Sequence, residues 1–423
     1  MFSEELTDAF LVTMPGLVIR EEADGLFISN PALGTSAECP EGVRVLLEFF
    51  RSPRRLEDLL AAGLADPETL LLVVDNGFVI DVALGFTAAE APVGVASEIK
   101  QILDIASPNV TVVFGVPTDA AAMGNGGARN GPELIRTAFR RYPWFSRHTG
   151  RGAGAATRLF QPKVDGGTRA GLLLDFELRR TYRGEKPSVF DLGDLVCVPG
   201  EPLRAIGDRV SWLVDQIMEK NGRPVMLGGD HSITHYSLSS VARRYHKFGI
   251  IHFDAHHDTY AQPFGFITHA NPFRGALESS SLVALFQIGL RTVEWAETDE
   301  LVTDPRVRYL SALEVAECEP AQVFSSLDVD VPYYLSFDID CISPHLAPET
   351  GTPEPGGLSY YRALRLVDEA LRRFQIIGAD FVEVAGPAGQ KCGAADVAAR
   401  LVFQTLVAGV PFEPLGNYVS RNE

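Results

Sequence analysis

Short apolar runs alternate with amphipathic stretches from about residue 108 onward. Buried strands are predicted by the runs "VTVVFGVP", "PVMLGG", "FGIIHFD", "LVALFQIGLR", "YYLSFDID" and "FQIIGADFVEV". Apolar residues at helical spacing predict helices in "PELIRTAFRRY", "LRAIGDRVSWLVDQIMEK", "SLSSVARRYHK" and "YYRALRLVDEALRRF". Because strands and helices alternate, the pattern predicts a three-layer α/β/α fold, in which helices cover both faces of a central, mainly parallel sheet.

The first 88 residues follow a different pattern. An extended stretch with a Gly turn, "LVIREEADGLFISNP", precedes three candidate helices in "PEGVRVLLEFF", "RRLEDLLAAG" and "PETLLLVVDNG", and a short strand, "FVIDV", follows them. This order predicts a small winged-helix-like α+β module. The segment "ALGFTAAEAPVGVASE" is small, polar and Pro-containing, which is typical of a linker, and the linker is placed at residues 89–107. The predicted organisation is therefore a module at 1–88, a linker at 89–107 and a main domain at 108–423.

One segment of the main domain is less regular. The sequence from "WFSRHTGRGAGAATRLF" to "LRRTYRGEKP" is rich in Gly and Arg, and we interpret it as a long loop. Its "GRGAGAAT" lacks the closing glycine of a dinucleotide-binding loop and follows no clear strand, so no phosphate-binding role is assigned to it.

The composition narrows the class of protein. Hydrophobic residues make up 46% of the 423 positions and charged residues 22%, as in ordinary globular proteins. The net charge of −18 argues against nucleic acid as a partner, because an acidic chain repels phosphate backbones. There is no apolar run of the roughly 18 residues that cross a membrane, the acidic N-terminus lacks a basic signal-peptide region, and the five cysteines lack CxxC spacing. These features predict a cytoplasmic protein with reduced thiols and no membrane contact.

Candidate chemistry is concentrated at the ends of three predicted strands. These ends are "GGDHS" at 228–232, "DAHHD" at 254–258 and "SFDIDCISP" at 336–344, and seven of the nine histidines lie between 231 and 269. Ligands of parallel sheets bind at the carboxyl ends of the strands. Since neighbouring strands lie about 5 Å apart, we expect the three ends to converge on one site.

Alternation within these segments favours a metal site. In an extended chain every second side chain points the same way, so Asp254, His256 and Asp258 share one side, and Asp338 and Asp340 repeat the pattern. Four crowded carboxylates resist ionising unless cations neutralise them. Imidazole with carboxylate suits Mn²⁺, with Zn²⁺, Fe²⁺ or Ni²⁺ as rivals, and two such ions can activate a water. Of the remaining histidines, His252 is predicted to be a core residue, and His257 is expected to point away from the site.

Four segments resemble the signature blocks of the ureohydrolases, the family of arginase and agmatinase. They are "GGDHSIT", "DAHHD", "SFDIDCISPHLAPETGTPEPGG" and "FVEVAGP", and "GVPTDAAAMGNGGARNGPELIR" and "FDLGDL" resemble two further family segments. The resemblance covers residues 108–412 in the family's order. It implies an arginase-like fold, two Mn²⁺ per subunit, hydrolysis of a guanidino group to urea and an amine, and a homo-oligomer, trimeric or hexameric.

The resemblance also implies roles for individual residues. One ion would be held by His231, Asp254, Asp258 and Asp338, and the other by His256, Asp254, Asp338 and Asp340. Asp254 and Asp338 would bridge the two ions, and Asp258 would accept a hydrogen bond from the attacking hydroxide. Glu383 would bind and orient the guanidinium. His269 would be the general acid that protonates the leaving amine.

Departures from the family pattern bear on the substrate. Ser343 replaces the usual Asp of a D-P pair, and "AGP" follows Glu383. The segment "DTYAQPFGFITH" lacks the Ser/Asn-rich stretch with which arginases hold the amino-acid carboxylate, which argues against free L-arginine. The predicted substrate is therefore a small guanidino compound such as agmatine, guanidinobutyrate or guanidine.

Three other functions remain open from the sequence. The N-terminal module weakly resembles the winged-helix modules that hold leader peptides, and the enzyme would then be a peptide arginase that converts arginine to ornithine. Packing on the main domain is the simpler role for the module. The other two alternatives are hydrolysis of a formimidoyl or another C–N bond, and a non-catalytic binding protein with the same fold.

Overall fold

The structure is a computed structural model. It describes residues 10–13, 17–22, 25–30, 35–50, 54–64, 67–76, 78–81, 110–122, 126–139, 157–159, 173–182, 189–195, 197, 202–260, 266–293 and 304–415. The predicted linker and most of the Gly- and Arg-rich loop lie outside these residues.

The N-terminal module contains the predicted helices and two small antiparallel sheets. Its elements are β1 (Phe10–Thr13), β2 (Val18–Glu22), β3 (Gly25–Asn30), β4 (Thr35–Cys39), α1 (Val43–Phe49), β5 (Arg54–Arg55), α2 (Leu56–Ala61), α3 (Pro67–Asp75) and β6 (Val79–Asp81). The sheets have the strand orders β5-β1-β6 and β2-β3-β4. Leu11, Leu46, Phe50 and Phe78 belong to a hydrophobic cluster formed within the module. The prediction of a small α+β module is confirmed, whereas the boundaries of the domains remain a prediction.

The main domain has twelve strands and eight α-helices among the described residues. The strands are β7 (Thr111–Val116), β8 (Thr157–Leu159), β9 (Leu173–Asp175), β10 (Arg180–Tyr182), β11 (Val189–Asp194), β12 (Arg223–Gly228), β13 (Phe248–Phe253), β14 (Leu282–Leu290), β15 (Val307–Ser311), β16 (Tyr333–Asp338), β17 (Ile376–Val382) and β18 (Phe412–Pro414). The helices are α4 (Gly131–Phe139), α5 (Leu203–Glu219), α6 (Ile233–Arg244), α7 (Arg274–Glu278), α8 (Ala312–Glu317), α9 (Pro320–Val323), α10 (Tyr360–Arg373) and α11 (Gly393–Leu406).

A nine-stranded sheet forms the centre of the domain, in the order β15-β14-β13-β16-β17-β12-β7-β11-β8. Eight of these strands are parallel to their neighbours, and β8 pairs antiparallel with β11 at the edge. All six strands predicted from apolar runs are present. The predicted mainly parallel sheet is therefore confirmed.

Hydrophobic packing on both faces of this sheet creates the three layers. Consecutive strand residues face opposite sides, so Val113 and Ile251 belong to one hydrophobic cluster, while Val112 and Ile250 belong to another. The first cluster includes residues of α4, α10 and α11, and the second includes residues of α5, α6 and α7. The α/β/α prediction is thus confirmed, with the strand ends left as the place where polar side chains can gather.

Four adjacent strands, β13, β16, β17 and β12, carry the site. The order of the sheet places them side by side, although they are far apart in sequence. The segments "DAHHD", "DID", "EV" and "GGDHS" follow directly at their carboxyl ends. The expected convergence of strand ends therefore occurs, with β17 as a fourth member of the group.

Candidate active site

His231 lies at the centre of the first group of site residues. Its Nδ1 is 2.8 Å from Oδ2 of Asp258, 3.3 Å from Oδ2 of Asp254 and 3.3 Å from Oδ2 of Asp338. The ring is fully buried, yet this Nδ1 forms no hydrogen bond with any of the residues that the structure describes. A buried nitrogen that three carboxylates surround without a well-directed hydrogen bond is the arrangement expected of a metal ligand.

His256 lies at the centre of the second group. Its Nδ1 is 2.9 Å from Oδ2 of Asp340 and 3.4 Å from Oδ1 of Asp254. The two oxygens of Asp254 therefore face different imidazoles, Oδ1 toward His256 and Oδ2 toward His231. All six predicted ligands are thus brought together in two groups that share one carboxylate.

Backbone amides fix the orientation of these carboxylates. The N–H of His256 donates to Oδ1 of Asp254 at 2.7 Å, and the N–H of Ala255 donates to Oδ1 of Asp340 at 3.0 Å. The N–H of Asp340 in turn donates to Oδ1 of Asp338 at 2.8 Å. Because the strands end here, these amides are released from the sheet and can bind side chains instead.

The carboxylates are under electrostatic stress without a cation. Burial, with Asp340 and Asp254 adding to it, raises the pKa of Asp338 well above its usual range. Burial and the charge of Asp254 raise the pKa of Asp340 to about 7. Burial acts in the same direction on Asp254, but the neighbouring histidines lower its pKa well below the usual value. Divalent cations would remove this conflict, so the donor set fits the metal site that the sequence predicts.

His252 is a core histidine, as predicted, and it also contacts the site. It is fully buried, with Nε2 2.8 Å from Oδ2 of Asp254 and Nδ1 3.0 Å from Nε2 of Gln287. Since an amide nitrogen only donates, Nδ1 of His252 accepts, and its Nε2–H donates to Asp254. His252 can therefore orient the shared carboxylate, a role that the sequence analysis did not assign.

Glu383 and His269 lie beside the first group. Oε1 of Glu383 accepts a hydrogen bond of 2.8 Å from the N–H of His231 and is 3.4 Å from Nδ1 of His269. Burial lowers the pKa of His269, but the Glu383 carboxylate more than offsets this and leaves the pKa above its ordinary value. The two side chains thus lie in contact with each other beside the first group of proposed ligands.

Two site residues have strained backbones. Asp258 and Glu383 have φ values of 53° and 62°, in the left-handed region that favours glycine. Such residues cost of the order of 1–3 kcal/mol and cluster at functional sites.

His257 lies outside the cluster of site residues, as expected. Its Nδ1 contacts Thr259, and its ring packs against that of Tyr260.

A buried relay behind His231 was not predicted. Nε2 of His231 is 2.9 Å from Oγ of Ser336, and that hydroxyl donates to Oδ1 of Asp380 at 2.7 Å. Oδ2 of Asp380 accepts from the hydroxyls of Thr234 and Tyr334 at 2.8 and 2.9 Å. A signal was present in the sequence, because Asp380 interrupts the apolar run "IIGADFV".

Comparison with known proteins identifies the family. The model of the arginase family matches residues 168–408. The chain belongs to the arginase family. The agmatinase of Escherichia coli is 31% identical over 309 residues, which cover 70% of this chain and 86% of that protein.

Two solved structures of arginase-family relatives extend the comparison. A hypothetical agmatinase from Burkholderia thailandensis matches with a TM-score of 0.56 and 30% identity, over 72% of this chain and 86% of that one. Proclavaminate amidino hydrolase from Streptomyces clavuligerus matches with a TM-score of 0.54 and 27% identity, over 71% and 91% of the two chains.

Membership defines the type of reaction. The protein is an arginase-family hydrolase that acts on C–N bonds of linear amidines, and its fold is arginase-like. Its buried His/Asp cluster is able to bind metal. Within the described residues, no helix has the length and apolar character that crossing a membrane requires.

Proposed function

We propose that this protein is a dinuclear, Mn²⁺-dependent amidinohydrolase that converts a small guanidino compound to urea and an amine. The observation that carries the proposal is the position of Asp254, whose two oxygens face His231 and His256 separately. A carboxylate in that position is suited to bridge two ions. Asp338 is proposed as the second bridge, while Asp258 completes the first ligand set and Asp340 the second.

The bound cations would neutralise the carboxylates and supply an activated water as nucleophile. Asp258 would help to hold the first cation and would accept a hydrogen bond from that water, and its carboxylate lies 2.8 Å from Nδ1 of the proposed ligand His231. Its backbone φ of 53° lies in the left-handed region. We assign Asp258 to ligation of the first cation and to acceptance of this hydrogen bond.

Glu383 would bind and orient the guanidinium. A planar, delocalised cation matches a carboxylate through paired charge-assisted hydrogen bonds. The carboxylate is fixed by the N–H of His231 at 2.8 Å, so a bound guanidinium would be held against the cation-binding groups. Glu383 is buried, so little water is present to screen the charge of its carboxylate, and its attraction for a guanidinium is correspondingly stronger.

His269 would donate the proton that the leaving amine requires. Against the effect of burial, the Glu383 carboxylate raises the pKa of His269, which favours the protonated imidazole, and the 3.4 Å contact with Glu383 would place it beside the substrate's charged group. A histidine in this position can raise the rate by about 10²–10⁴. We therefore assign His269 as the general acid.

Small guanidino compounds are the proposed substrates, with agmatine first. Support comes from the E. coli relative, which carries the name agmatinase and is covered over 86% of its length. The departure of "DTYAQPFGFITH" from the arginase pattern also argues against free arginine. A trimeric or hexameric state and a cytoplasmic location remain predictions, as does the peptide arginase alternative.

The test is urea release with added Mn²⁺ from a panel of agmatine, guanidinobutyrate, guanidine, L-arginine and an arginine-containing peptide. The proposal expects release from one or more of the first three and little from L-arginine. Release from the peptide alone would favour the peptide arginase. No urea from any compound, with two ions bound per subunit, would contradict the proposed reaction.

A further inference from the structure

An additional carboxylate lies beside the second group of ligands. Oε1 of Glu354 is 3.8 Å from Nε2 of His256, while Nδ1 of the same ring faces the site, 2.9 Å from Asp340. The Glu354 side chain is 31% exposed and that of His256 is 18% exposed. The imidazole therefore stands between the cation-binding carboxylates and a further, half-buried acid.

The tautomer of His256 gives this acid a role. A neutral imidazole binds a cation through the nitrogen that carries no proton. If Nδ1 of His256 is the ligand, its proton is on Nε2, the nitrogen that faces Glu354. We propose that Glu354 is a positioning residue that keeps this proton on Nε2 and so presents Nδ1 to the second cation, an inference that rests on the proposed two-cation function.

The local sequence holds Glu354 in place. It lies between Pro353 and Pro355, and a residue that precedes proline is restricted to extended conformations. The chain then turns through Gly356 and Gly357, with φ values of 84° and 94°. A Cβ on Gly357 would lie 3.0 Å from Nη2 of Arg291, so the turn brings the backbone against that guanidinium.

Arg291 joins the segments around the second group. Its Nη2 donates to the carbonyl oxygens of Asp340 and Glu354 at 2.6 and 3.0 Å, and its Nε donates to that of Pro355 at 2.9 Å. Its backbone N–H donates to the carbonyl of Ala255 at 3.0 Å, next to the second imidazole. One side chain thus fixes the backbones of a ligand and of Glu354 relative to each other.

The first imidazole provides an internal parallel. Nε2 of His231 faces Ser336, and the hydroxyl of Ser336 donates to Asp380. The hydroxyl hydrogen of Ser336 is donated to Asp380, so toward His231 the Ser336 oxygen can only accept. The proton of the neutral His231 ring is therefore on Nε2. Each imidazole thus has an acid on the side away from the site, linked through a buried serine in one case and at a distance of 3.8 Å in the other.

The test is a Mn²⁺ titration of the full-length protein after a chelator has removed its metal, with free Mn²⁺ measured by electron paramagnetic resonance. Mutation of a residue that contacts the far nitrogen of a metal-binding histidine typically lowers the affinity for the metal by about 10–100-fold. Since Glu354 is partly exposed, we expect Glu354→Gln to weaken one of two binding steps by about tenfold. Glu369→Gln is the matched control, because Glu369 makes a contact of the same 3.8 Å with Arg372 and is 21% exposed. It should leave both steps unchanged.

Other outcomes would overturn the inference. Unchanged affinities in Glu354→Gln would show that the carboxylate does not act on His256. Equal weakening of both steps, or a lower melting temperature of its metal-free form, would indicate a general structural role instead. A supporting variant is Arg291→Lys, which keeps the positive charge but loses the guanidinium that hydrogen-bonds to the carbonyls of both Asp340 and Glu354. It should therefore weaken the same binding step as Glu354→Gln. A wild type that binds fewer than two ions would contradict the two-cation function itself.

Discussion

Binding of Mn²⁺ should release protons, and the number follows from the site. Burial lowers the pKa of His256, but Asp254 and Asp340 raise it by more, to about 12. The same balance raises the pKa of His231 well above its ordinary value, through the carboxylates of Asp254, Asp258 and Asp338. In the metal-free protein both imidazoles are therefore expected to carry a second proton, on Nδ1, at pH 7, and a cation must displace it.

The expected stoichiometry is about two protons per subunit from the imidazoles when both sites fill at pH 7. Asp340, whose pKa is raised to about 7, is half protonated there and adds roughly another half proton, and Asp338, whose pKa is raised well above its usual range, adds to the release. Protons and cations compete, so affinity must increase with pH. With more than two protons linked, the overall constant for binding two ions changes by more than about a hundredfold per pH unit near neutrality.

Calorimetry in buffers of different ionisation enthalpy measures this number directly. His256→Asn should reduce the release by about one proton. His269→Ala is the control that should leave it unchanged, because this histidine is not among the proposed ligands. Release of less than half a proton by the wild type would refute the reasoning, since the imidazoles would then be neutral before binding or would not be ligands.

Four further outcomes are expected. Asp254→Ala and Asp338→Ala should each abolish activity and lower the metal content, measured by elemental analysis, below two per subunit, because each removes a bridge; full occupancy would contradict the bridging role. His269→Ala should keep both metals and slow turnover by about 10²–10⁴, whereas loss of metal would make it a ligand. The metal-free fold should melt at a lower temperature at pH 8.5 than at pH 5.5. A carboxyl group whose pKa is higher in the folded than in the unfolded chain stabilises the fold fully below its unfolded pKa, and this stability is lost as the pH rises through its folded pKa, which is about 7 for Asp340. Asp340→Asn should flatten that dependence. Asp380→Asn should lower the free energy of unfolding by roughly 1–3 kcal/mol in denaturant titrations, because the amide keeps only one acceptor oxygen for the buried hydroxyl donors and places a second donor among them, and an unchanged midpoint would mean that the relay adds no stability.

The parts of the fold that could be predicted are those with strong local patterns. Strands buried on both faces, such as β13 with "FGIIHF", are continuous apolar runs and were identified. β15 was missed, because its "VRYLS" has exposed and half-buried positions near the sheet edge and resembles a loop. α11 was missed for the opposite reason. It is buried on nearly all sides, so its apolar residues show no single-face period.

Ligand candidates were predictable because alternation at strand ends is a local property. Their neighbours were not, since contact depends on which strands adjoin and which rotamers result. Ser336 and His231 are separated by 105 positions, yet the order β16-β17-β12 brings their side chains together. The pairing of Gln287 with His252 likewise requires that β13 and β14 be neighbours. Glu354 lies in the family-like segment "TGTPEPGG", but the local pattern does not show that the fold places its carboxylate 3.8 Å from the imidazole of His256.

Strain at Asp258 and Glu383 is a conflict between local and functional requirements. Both have positive φ, where glycine would cost least, and a choice made for stability alone would favour glycine there. A glycine would supply no carboxylate. At these positions the chain leaves the strand abruptly, and the turn brings the Asp258 oxygen to 2.8 Å from His231 and the Glu383 oxygen within hydrogen-bonding reach of the same residue's backbone. A residue that breaks a local rule while completing a site is best explained by the chemistry of that site. The backbone strain at the two carboxylates therefore supports their proposed roles in catalysis, and this support does not depend on family resemblance.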